Sequence, residues 1–225
     1  MSDSKLVRIK YNDGTDVEIN IIPKETPSRE QINEWMAIYE MAYTLAREKE
    51  SRVPNFPEYI TEALACIHYN ATRFVPANSS DGKGGDLYNW TTQTINEVKG
   101  GMGSGPASFS PKIYADRILY VRVVPLTWTY SIYNLDYADI KIFKINKTQT
   151  FEDQQKEGKR PRFDLLKYVN DRSIVGEYSG NIYTNEPNLE KILRNIPKYK
   201  TMDSKKLQEI ILEQIACNQA PNVII

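Results

Sequence analysis

The feature that most constrains the fold is a cluster of strand-forming segments in the middle of the chain, flanked by segments with helical periodicity. RILYVRVVPL, TWTYSIYNL and ADIKIFKI follow closely on one another and are rich in Ile, Val and Tyr, which favour strands. Two shorter extended segments are predicted just upstream, at roughly 86–90 and 93–99. We expect these segments to form one sheet, which the flanking helices cover.

Two helices are predicted before this cluster. PSREQINEWMAIYEMAYTLAREKE begins with a capping box of Ser28 and Gln31, and FPEYITEALACIHYNATRF has Pro57 near its first turn. The apolar positions of the first helix are Ile32, Met36, Ile38, Met41, Ala42 and Leu45. Those of the second are Ile60, Ala63, Leu64, Ile67, Ala71 and Phe74. Because the remaining positions of the second helix are not strongly polar, we expect that helix to be substantially buried.

The ends of the chain and its connections complete the predicted order of elements. KLVRIKY and VEINII alternate around a turn and predict an N-terminal hairpin. GGMGSGPASFSPK and NKTQTFEDQQKEGKRPR are predicted to be loops, FDLLKYVND a helix and SIVGEYS extended. Two further amphipathic helices are predicted near 187–195 and 203–217. This order predicts one domain over residues 1–225, an α/β or α+β fold with a mixed central sheet flanked by helices.

Composition narrows the classes of function. The 29 basic and 29 acidic residues cancel, which argues against indiscriminate coating of nucleic acid but is compatible with a local basic groove. The single histidine, His68, excludes zinc sites built from several histidines. No apolar run is long enough to span a bilayer, and the first residues lack a signal-peptide core. We therefore expect a cytoplasmic protein with no membrane partner.

The candidate chemistry lies in an acid-x-Lys spacing that the sequence contains six times. Four copies fall in polar loops, at a terminus or at helix starts, where carboxylates are usually solvated. Only Glu97/Lys99 and Asp139/Lys141 fall on segments predicted to be strands. Alternate side chains of a strand point to the same side, so on a strand both the acid and the lysine face one site.

Glu97/Lys99 has the better surroundings of the two copies. Asp86 precedes it on a segment that can pair with its strand in a hairpin, so that the two carboxylates converge. Glycines at 84–85 allow close approach to Asp86, and glycines at 100–101 end the second strand. Upstream, Glu62 lies on the helix expected to be buried, where a carboxylate is costly unless it has a purpose.

This pattern resembles the PD-(D/E)XK nuclease superfamily, and most of all its type II restriction endonucleases. The resemblance covers mainly residues 57–125, where a helix bearing Glu62 is followed by the Asp86 segment, by Glu97-Val98-Lys99 and by the RILYVRVV strand. It implies an αβββαβ core, with the N-terminal hairpin and helix and the C-terminal helices as elaborations. Gly85 stands where many members have proline.

The resemblance assigns chemical roles that suit these residue types. Mg²⁺ prefers one or two carboxylates together with water and substrate oxygens, and Asp86, Glu97 and the carbonyl of Val98 are the implied ligands. Lys99 would hold the attacking water and stabilise developing negative charge. Glu62 would orient water or bind a second ion. The competing interpretation is that Glu97 and Lys99 form an ordinary surface pair on an edge strand.

The expected substrate is double-stranded DNA, cut by a homodimer because one site per subunit must cut two antiparallel strands. A dense basic group in the second predicted loop is the candidate DNA contact; its members are Lys156, Lys159, Arg160 and Arg162. Two alternatives stay open at this point. One is a repair or recombination nuclease with the same core, and the other is a non-catalytic binding module that carries the pattern by chance.

Overall fold

A computed structural model describes residues 4–10, 16–76, 85–103, 105–113, 115–125 and 127–183. Its strands are β1 Lys5–Lys10, β2 Asp16–Pro23, β3 Ala71–Pro76, β4 Leu87–Asn89, β5 Thr94–Gly101, β6 Pro106–Ser108, β7 Arg117–Val124, β8 Thr129–Asp136, β9 Arg162–Asp164 and β10 Tyr178–Asn181. Its helices are α1 Arg29–Glu48, α2 Glu58–Tyr69, α3 Tyr137–Lys141, α4 Phe151–Lys156 and α5 Leu165–Asp171. None of these helices is long and apolar enough to cross a membrane.

The central sheet has the order β1-β2-β3-β4-β5-β7-β8-β10. Only the β5/β7 pair is parallel, and every other neighbouring pair is antiparallel. The prediction of a mixed sheet flanked by helices is therefore confirmed. A parallel pair needs a crossover connection between its strands. In the crossover from β5 to β7 the described residues form β6, whereas the core implied by the resemblance has a helix there. β6 pairs with β9 in a separate two-stranded sheet.

Period-2 alternation along β7 divides the core between the two faces of the sheet. Leu119, Val121 and Val123 pack with α1 and α2, whereas Ile118 and Tyr120 pack with the elements from β6 to α5. A third cluster joins the N-terminal hairpin to the sheet through residues such as Ile95. The strand that carries the candidate motif, β5, lies directly beside β7 and is therefore covered on both faces.

The predicted N-terminal elements are confirmed, but the apolar face of α1 is rotated from the predicted one. β1 and β2 pair as a hairpin, and Ser28 and Gln31 form the expected capping box. The buried residues of α1 are Ile32, Met36, Tyr39 and Tyr43. Ile38, Met41 and Leu45 were expected to be buried and are instead exposed. Tyrosines were not counted as apolar in the prediction, which is why the buried stripe was misplaced.

The second predicted helix is buried as expected but is shorter. Ile60, Ala63 and Leu64 are fully buried, while Ile67 is exposed. The helix ends at Asn70, whose left-handed conformation (φ 48°) lets the chain turn back into β3. Residues 71–76, whose Ala71 and Phe74 were expected on the helix, instead form a strand next to β4.

Two predicted segments have a different secondary structure from the predicted one. Residues 138–141 of the predicted ADIKIFKI strand belong to α3, because Asp136 caps a helix there by accepting a hydrogen bond from Ala138 N. The second predicted loop contains α4, which begins with a capping box of Thr150 and Asp153, and ends at β9. FDLLKYVND forms α5 after its first two residues, as expected. The two helices predicted near 187–195 and 203–217 lie outside the described residues.

Candidate active site

The site forms where the short hairpin of β4 and β5 ends. The two strands pair from Asn89↔Thr94 to Leu87↔Asn96, and Asp86 comes just before this pairing begins. The backbone N–H of Asp86 still donates to the carbonyl of Asn96 (3.0 Å). The Asp86 carboxylate then reaches across to β5 and accepts a hydrogen bond from the backbone N–H of Val98 (2.8 Å). Asp86 is thus fixed beside the middle residue of Glu97-Val98-Lys99.

Strand geometry places Glu97 and Lys99 on the same face of β5. Their side chains form a direct ion pair, in which the ammonium of Lys99 donates to the Glu97 carboxylate. The ammonium also lies 5.4 Å from the centre of the ring of Phe109, which is fully buried. Glu97 is only 7% exposed, so the pair is not an exposed surface pair. The structure therefore brings Asp86, Glu97 and Lys99 together, as the sequence predicted.

Burial of two neighbouring carboxylates controls the electrostatics of the site. Burial raises the pKa of Glu97 to about 7, and the negative charge of Asp86 contributes to this increase. The pKa of Asp86 is also raised by burial, against the opposing effects of the Val98 N–H and of Lys99. Two carboxylates that share a buried position with a single lysine carry excess negative charge, which a cation would relieve.

The opposite face of β5 is supported by α2. Gly100 points towards Thr61, and a Cβ at position 100 would lie only 2.3 Å from Thr61 Cγ2. The side chain of Val98, which points to the same face as Gly100, packs in the core cluster of α1 and α2. The strand was predicted to cover roughly 93–99 and to be ended by the glycines at 100–101. It instead includes both glycines, and Gly100 allows the close approach of helix and strand.

Glu62 lies near the site but is engaged elsewhere. Its carboxylate forms an ion pair with Arg73 on β3. Burial raises the pKa of Glu62, the hydrogen bond from Arg73 opposes that increase, and the charge of Asp86 adds to it. Glu62 is therefore close enough to Asp86 to influence it electrostatically, while its own hydrogen-bonding partner is Arg73.

The available ligands suit an ion that accepts few protein donors. Within the described ranges, no group of three or more His, Cys, Asp or Glu side chains is arranged to hold a metal. Asp86 and Glu97 supply two carboxylates, and a residue in a strand directs its N–H and C=O to the same edge. Since the Val98 N–H points to Asp86, the Val98 carbonyl is directed to that edge as well. Two carboxylates and one carbonyl leave positions for water and substrate oxygens.

The basic residues predicted to contact DNA differ in their ion pairing. Lys156 pairs with Glu152 (3.0 Å) and Lys159 with Glu157 (2.6 Å). Arg160 and Arg162 are exposed and form no ion pair within the part of the chain that the structure describes. Arg162 belongs to β9, whose partner β6 leads directly into Phe109. The two arginines are consequently attached to the same small sheet that places Phe109 against Lys99.

The second acid-x-Lys copy does not assemble a site. Asp139 and Lys141 lie on α3 rather than on the predicted strand. Asp139 lines a pocket of about 620 Å³ together with Arg172. Lys141 lines a different pocket of about 360 Å³ and forms an ion pair with Glu152 (3.5 Å). The two side chains therefore face different surroundings.

Sequence reasoning missed two residues that contact the candidate site. Arg73 was placed in the second helix, so its strand position and its contact with Glu62 could not be foreseen. Phe109 lies in a segment predicted to be a glycine-rich loop, where an aromatic residue gives no periodic signal. Its place between Ala107 and Ile113 in a cluster of buried residues becomes apparent only when β6 is paired with β9.

Comparison with known proteins agrees with the resemblance that the motif indicates. Residues 25–172 match the family described as Bsp6I restriction endonuclease, and this range contains every residue of the candidate site. The chain is 36% identical over 129 residues to the type II restriction enzyme Bsp6I of Bacillus sp. (strain RFL6). That alignment covers 56% of this chain and 71% of the relative. No solved structure matches the chain.

Proposed function

The chain belongs to the Bsp6I restriction endonuclease family, and from this membership we propose that it is a Mg²⁺-dependent, sequence-specific endonuclease of double-stranded DNA. The reaction is hydrolysis of a phosphodiester bond. The single observation that carries the proposal is the convergence of Asp86, Glu97 and Lys99 at the end of the β4/β5 hairpin, inside the matched range. The three side chains are buried or half-buried, which separates them from the acid-x-Lys pair of Glu157 and Lys159, whose residues are both exposed.

In this proposal Asp86, Glu97 and the carbonyl of Val98 hold the ion. The chemistry that Mg²⁺ supplies when bound is neutralisation of phosphate charge and activation of a water. The fit rests on the donors themselves, since two buried carboxylates with raised pKa values gain most from a nearby cation. Cation binding then keeps both carboxylates ionised at neutral pH.

Lys99 is the proposed charge-stabilising group. Its ammonium is held between the Glu97 carboxylate and the ring of Phe109, so it is oriented before substrate binds. Glu62 is proposed to act from the second layer of the site. Because Arg73 holds its carboxylate, we assign Glu62 to the orientation of water or of Asp86 rather than to an ion of its own.

Within the basic group, we propose that Arg160 and Arg162 contact DNA. Each phosphate contact that is lost should reduce the slope of log affinity against log salt by about 0.9. Removal of an arginine that reads guanine should weaken DNA binding by about 1–3 kcal/mol and relax the sequence specificity at one position of the target. The measurement is duplex binding in Ca²⁺ across a salt series for Arg160→Ala and Arg162→Ala, with Lys167→Ala as control. Parent-like affinity, slope and specificity in both variants would exclude these arginines from the DNA face.

The enzyme is proposed to act as a homodimer, because a twofold axis places one site on each strand of a symmetric target. Sedimentation of the free protein and of its DNA complex gives the stoichiometry directly. Two chains per duplex are expected in the complex. One chain per cleaved duplex would contradict the dimer without affecting the assignment of the site.

Digestion of one sequenced plasmid tests the proposed function as a whole. With Mg²⁺ the protein should give a discrete set of fragments whose ends share one sequence, and the Asp86→Ala protein should give none. A smear without defined ends would favour a nuclease that acts on ends or structures. No cleavage with Mg²⁺ or Mn²⁺ at any protein concentration would contradict the proposal and favour a binding module.

A further inference from the structure

A lysine-lined pocket lies beside the candidate site and has no role in the proposed chemistry. We infer that it binds a backbone phosphate of the DNA strand, next to the phosphate that faces Lys99. The inference rests on the proposed function, because it takes DNA as the substrate. It adds contacts from Lys112 and Lys141, which no motif in the sequence indicates, and a contact from Lys156, a member of the predicted basic group.

The pocket is built from three segments that are far apart in sequence. Its volume is about 360 Å³, and its lining comes from residues 111–113, α3 and α4. The floor is held by hydrogen bonds from the buried phenol of Tyr137, which donates to the carbonyl of Ile113 (3.1 Å) and lies 3.2 Å from Gln155 Oε1. The amide of Gln155 also donates to the Ile113 carbonyl (3.4 Å). The shape of the pocket is therefore fixed without a ligand.

The charge of the pocket is positive. Lys112, Lys141 and Lys156 line it, and among the described residues Glu152 is the one acid in the lining. Glu152 lies between two of the lysines, 3.5 Å from Lys141 Nζ and 3.0 Å from Lys156 Nζ. Lys112 is exposed and forms no ion pair within the described residues. Lysine ammonium groups that surround an open pocket recognise phosphate oxygens as point charges.

Direct packing connects the pocket to the candidate site. The ring of Phe109, which contacts the Lys99 ammonium, meets Phe151 edge-on with 5.1 Å between ring centres. Phe151 is the first residue of α4, and Glu152, Gln155 and Lys156 follow on the same helix. On the floor of the pocket, Tyr137 is close enough to Glu97 for the carboxylate charge to affect the phenol. Phe109 and Phe151 thus connect Lys99 by packing to the helix that lines the pocket.

DNA supplies the matching ligand. Each strand carries a phosphate for about every 3.4 Å of helix axis, so a duplex that presents one phosphate to Lys99 has further phosphates nearby. The lysines of the pocket, Lys112, Lys141 and Lys156, would then take one of these neighbouring phosphates. The phosphate would displace Glu152 from these lysines, which makes Glu152 a competitor of DNA.

Salt-dependent binding tests the inference. The probe is a short duplex that contains the cleavage site mapped on the plasmid, bound in Ca²⁺ to Lys112→Gln, Lys141→Gln and Glu152→Gln. Each lysine variant should bind about 3–10-fold more weakly at about 0.1 M salt and lose about 0.9 from the salt slope. Glu152→Gln should bind more tightly than the parent. Because damage to the fold weakens binding, the opposite sign for Glu152→Gln cannot come from misfolding. Lys167→Gln, whose lysine pairs with Asp171 on α5, is the matched control.

The outcomes separate this inference from the proposed function. If the parent cuts DNA while both lysine variants keep its salt slope and Glu152→Gln does not tighten binding, the pocket is not a phosphate site and the proposed function stands. If the parent neither binds nor cuts a duplex, the proposed function fails and the inference fails with it. Binding and competition experiments with inorganic phosphate at constant ionic strength complete the test. Low-millimolar phosphate that competes with DNA in the parent but not in Lys112→Gln supports the backbone contact, because both ligands then need the same pocket. Phosphate that binds the parent but not Lys112→Gln and leaves the affinity for DNA unchanged would assign the pocket to free phosphate and overturn the backbone contact.

Discussion

The same acid-x-Lys spacing occurs on β5 and on α3, and of these two copies only the one on β5 brings its acid and lysine together. On β5 the side chains of Glu97 and Lys99 meet in an ion pair on one face of the strand. On α3 the side chains of Asp139 and Lys141 line different pockets. The difference is the period of the backbone, since residues two apart share a face of a strand but diverge on a helix. The spacing therefore carries chemical meaning only together with the element on which it lies.

The acid-x-Lys copies on β5 and on α3 also differ in how deeply they are buried. Glu97 is 7% exposed, whereas Asp139 is exposed and Lys141 pairs with Glu152, which is half-buried. A buried carboxylate responds strongly to neighbouring charges, and an exposed pair is screened by water. The comparison predicts that changes on β5 affect chemistry and stability, while matched changes on α3 have small effects or act through DNA binding.

The largest effect is expected when a carboxylate of the site is removed. Asp86→Ala or Glu97→Ala should abolish Mg²⁺-dependent cleavage, because either change deletes one of two carboxylates that can hold the ion. Asp139→Ala is the matched control and should cut like the parent. The measurements are single-turnover cleavage of the plasmid and circular dichroism to verify the fold. Cleavage near the parent rate by either β5 variant would remove that residue from the site.

The next effect concerns the lysines. Lys99→Ala should slow the chemical step by about 10²–10³-fold or more, because its charge stabilises the developing phosphate charge. Lys141→Ala should show its effect in DNA affinity. Single-turnover rates at saturating DNA separate the two variants, and Lys167→Ala serves as a surface control. A large loss of rate in Lys141→Ala together with a parent-like Lys99→Ala would transfer the site to α3.

How far the sequence predicts the structure differs between the same two regions. Asp86, Glu97 and Lys99 were predictable because strand periodicity and a short hairpin act over a few residues. The segment at 138–141 was mispredicted because its Ile-rich composition favours a strand, while the Asp136 cap selects a helix. Arg73 and Phe109 were not predictable, since their contacts depend on β3 and on the β6/β9 pair, which join segments distant in sequence.

A smaller effect tests the support that β5 receives from α2. Gly100→Ala should destabilise the protein by about 1–3 kcal/mol, because the added methyl group overlaps the side chain of Thr61. Gly101→Ala is a control on the same strand, since a Cβ there meets nothing within 4 Å. Urea unfolding in EDTA gives the free energies. Equal stability of the two variants would show that α2 yields to the added methyl group without cost.

The smallest effect tests the burial of Glu97 through the pH dependence of stability without metal. The folded pKa of Glu97 is raised by burial to about 7 from an ordinary value of 4.5, so between these values the folded state binds more protons than the unfolded state. Stability that depends on the protonated carboxyl is present below pH 4.5 and is lost as the pH rises to about 7.

Glu97→Gln removes this dependence, so the variant in EDTA should match the parent near pH 4.5 and be more stable at pH 8. The shift in the pKa of Glu97 corresponds to about 3 kcal/mol of folding free energy. Because Glu97→Gln also removes the charged partner of Lys99, we expect the variant to be more stable than the parent at pH 8 by about 1–2 kcal/mol. Asp139→Asn, at an exposed position on α3, should change stability by a similar small amount at both pH values. Urea unfolding at pH 4.5, 6 and 8 measures the difference. If Glu97→Gln gains no stability between pH 4.5 and pH 8, the carboxylate is solvated in the metal-free protein, and the distinction between β5 and α3 rests on backbone geometry alone.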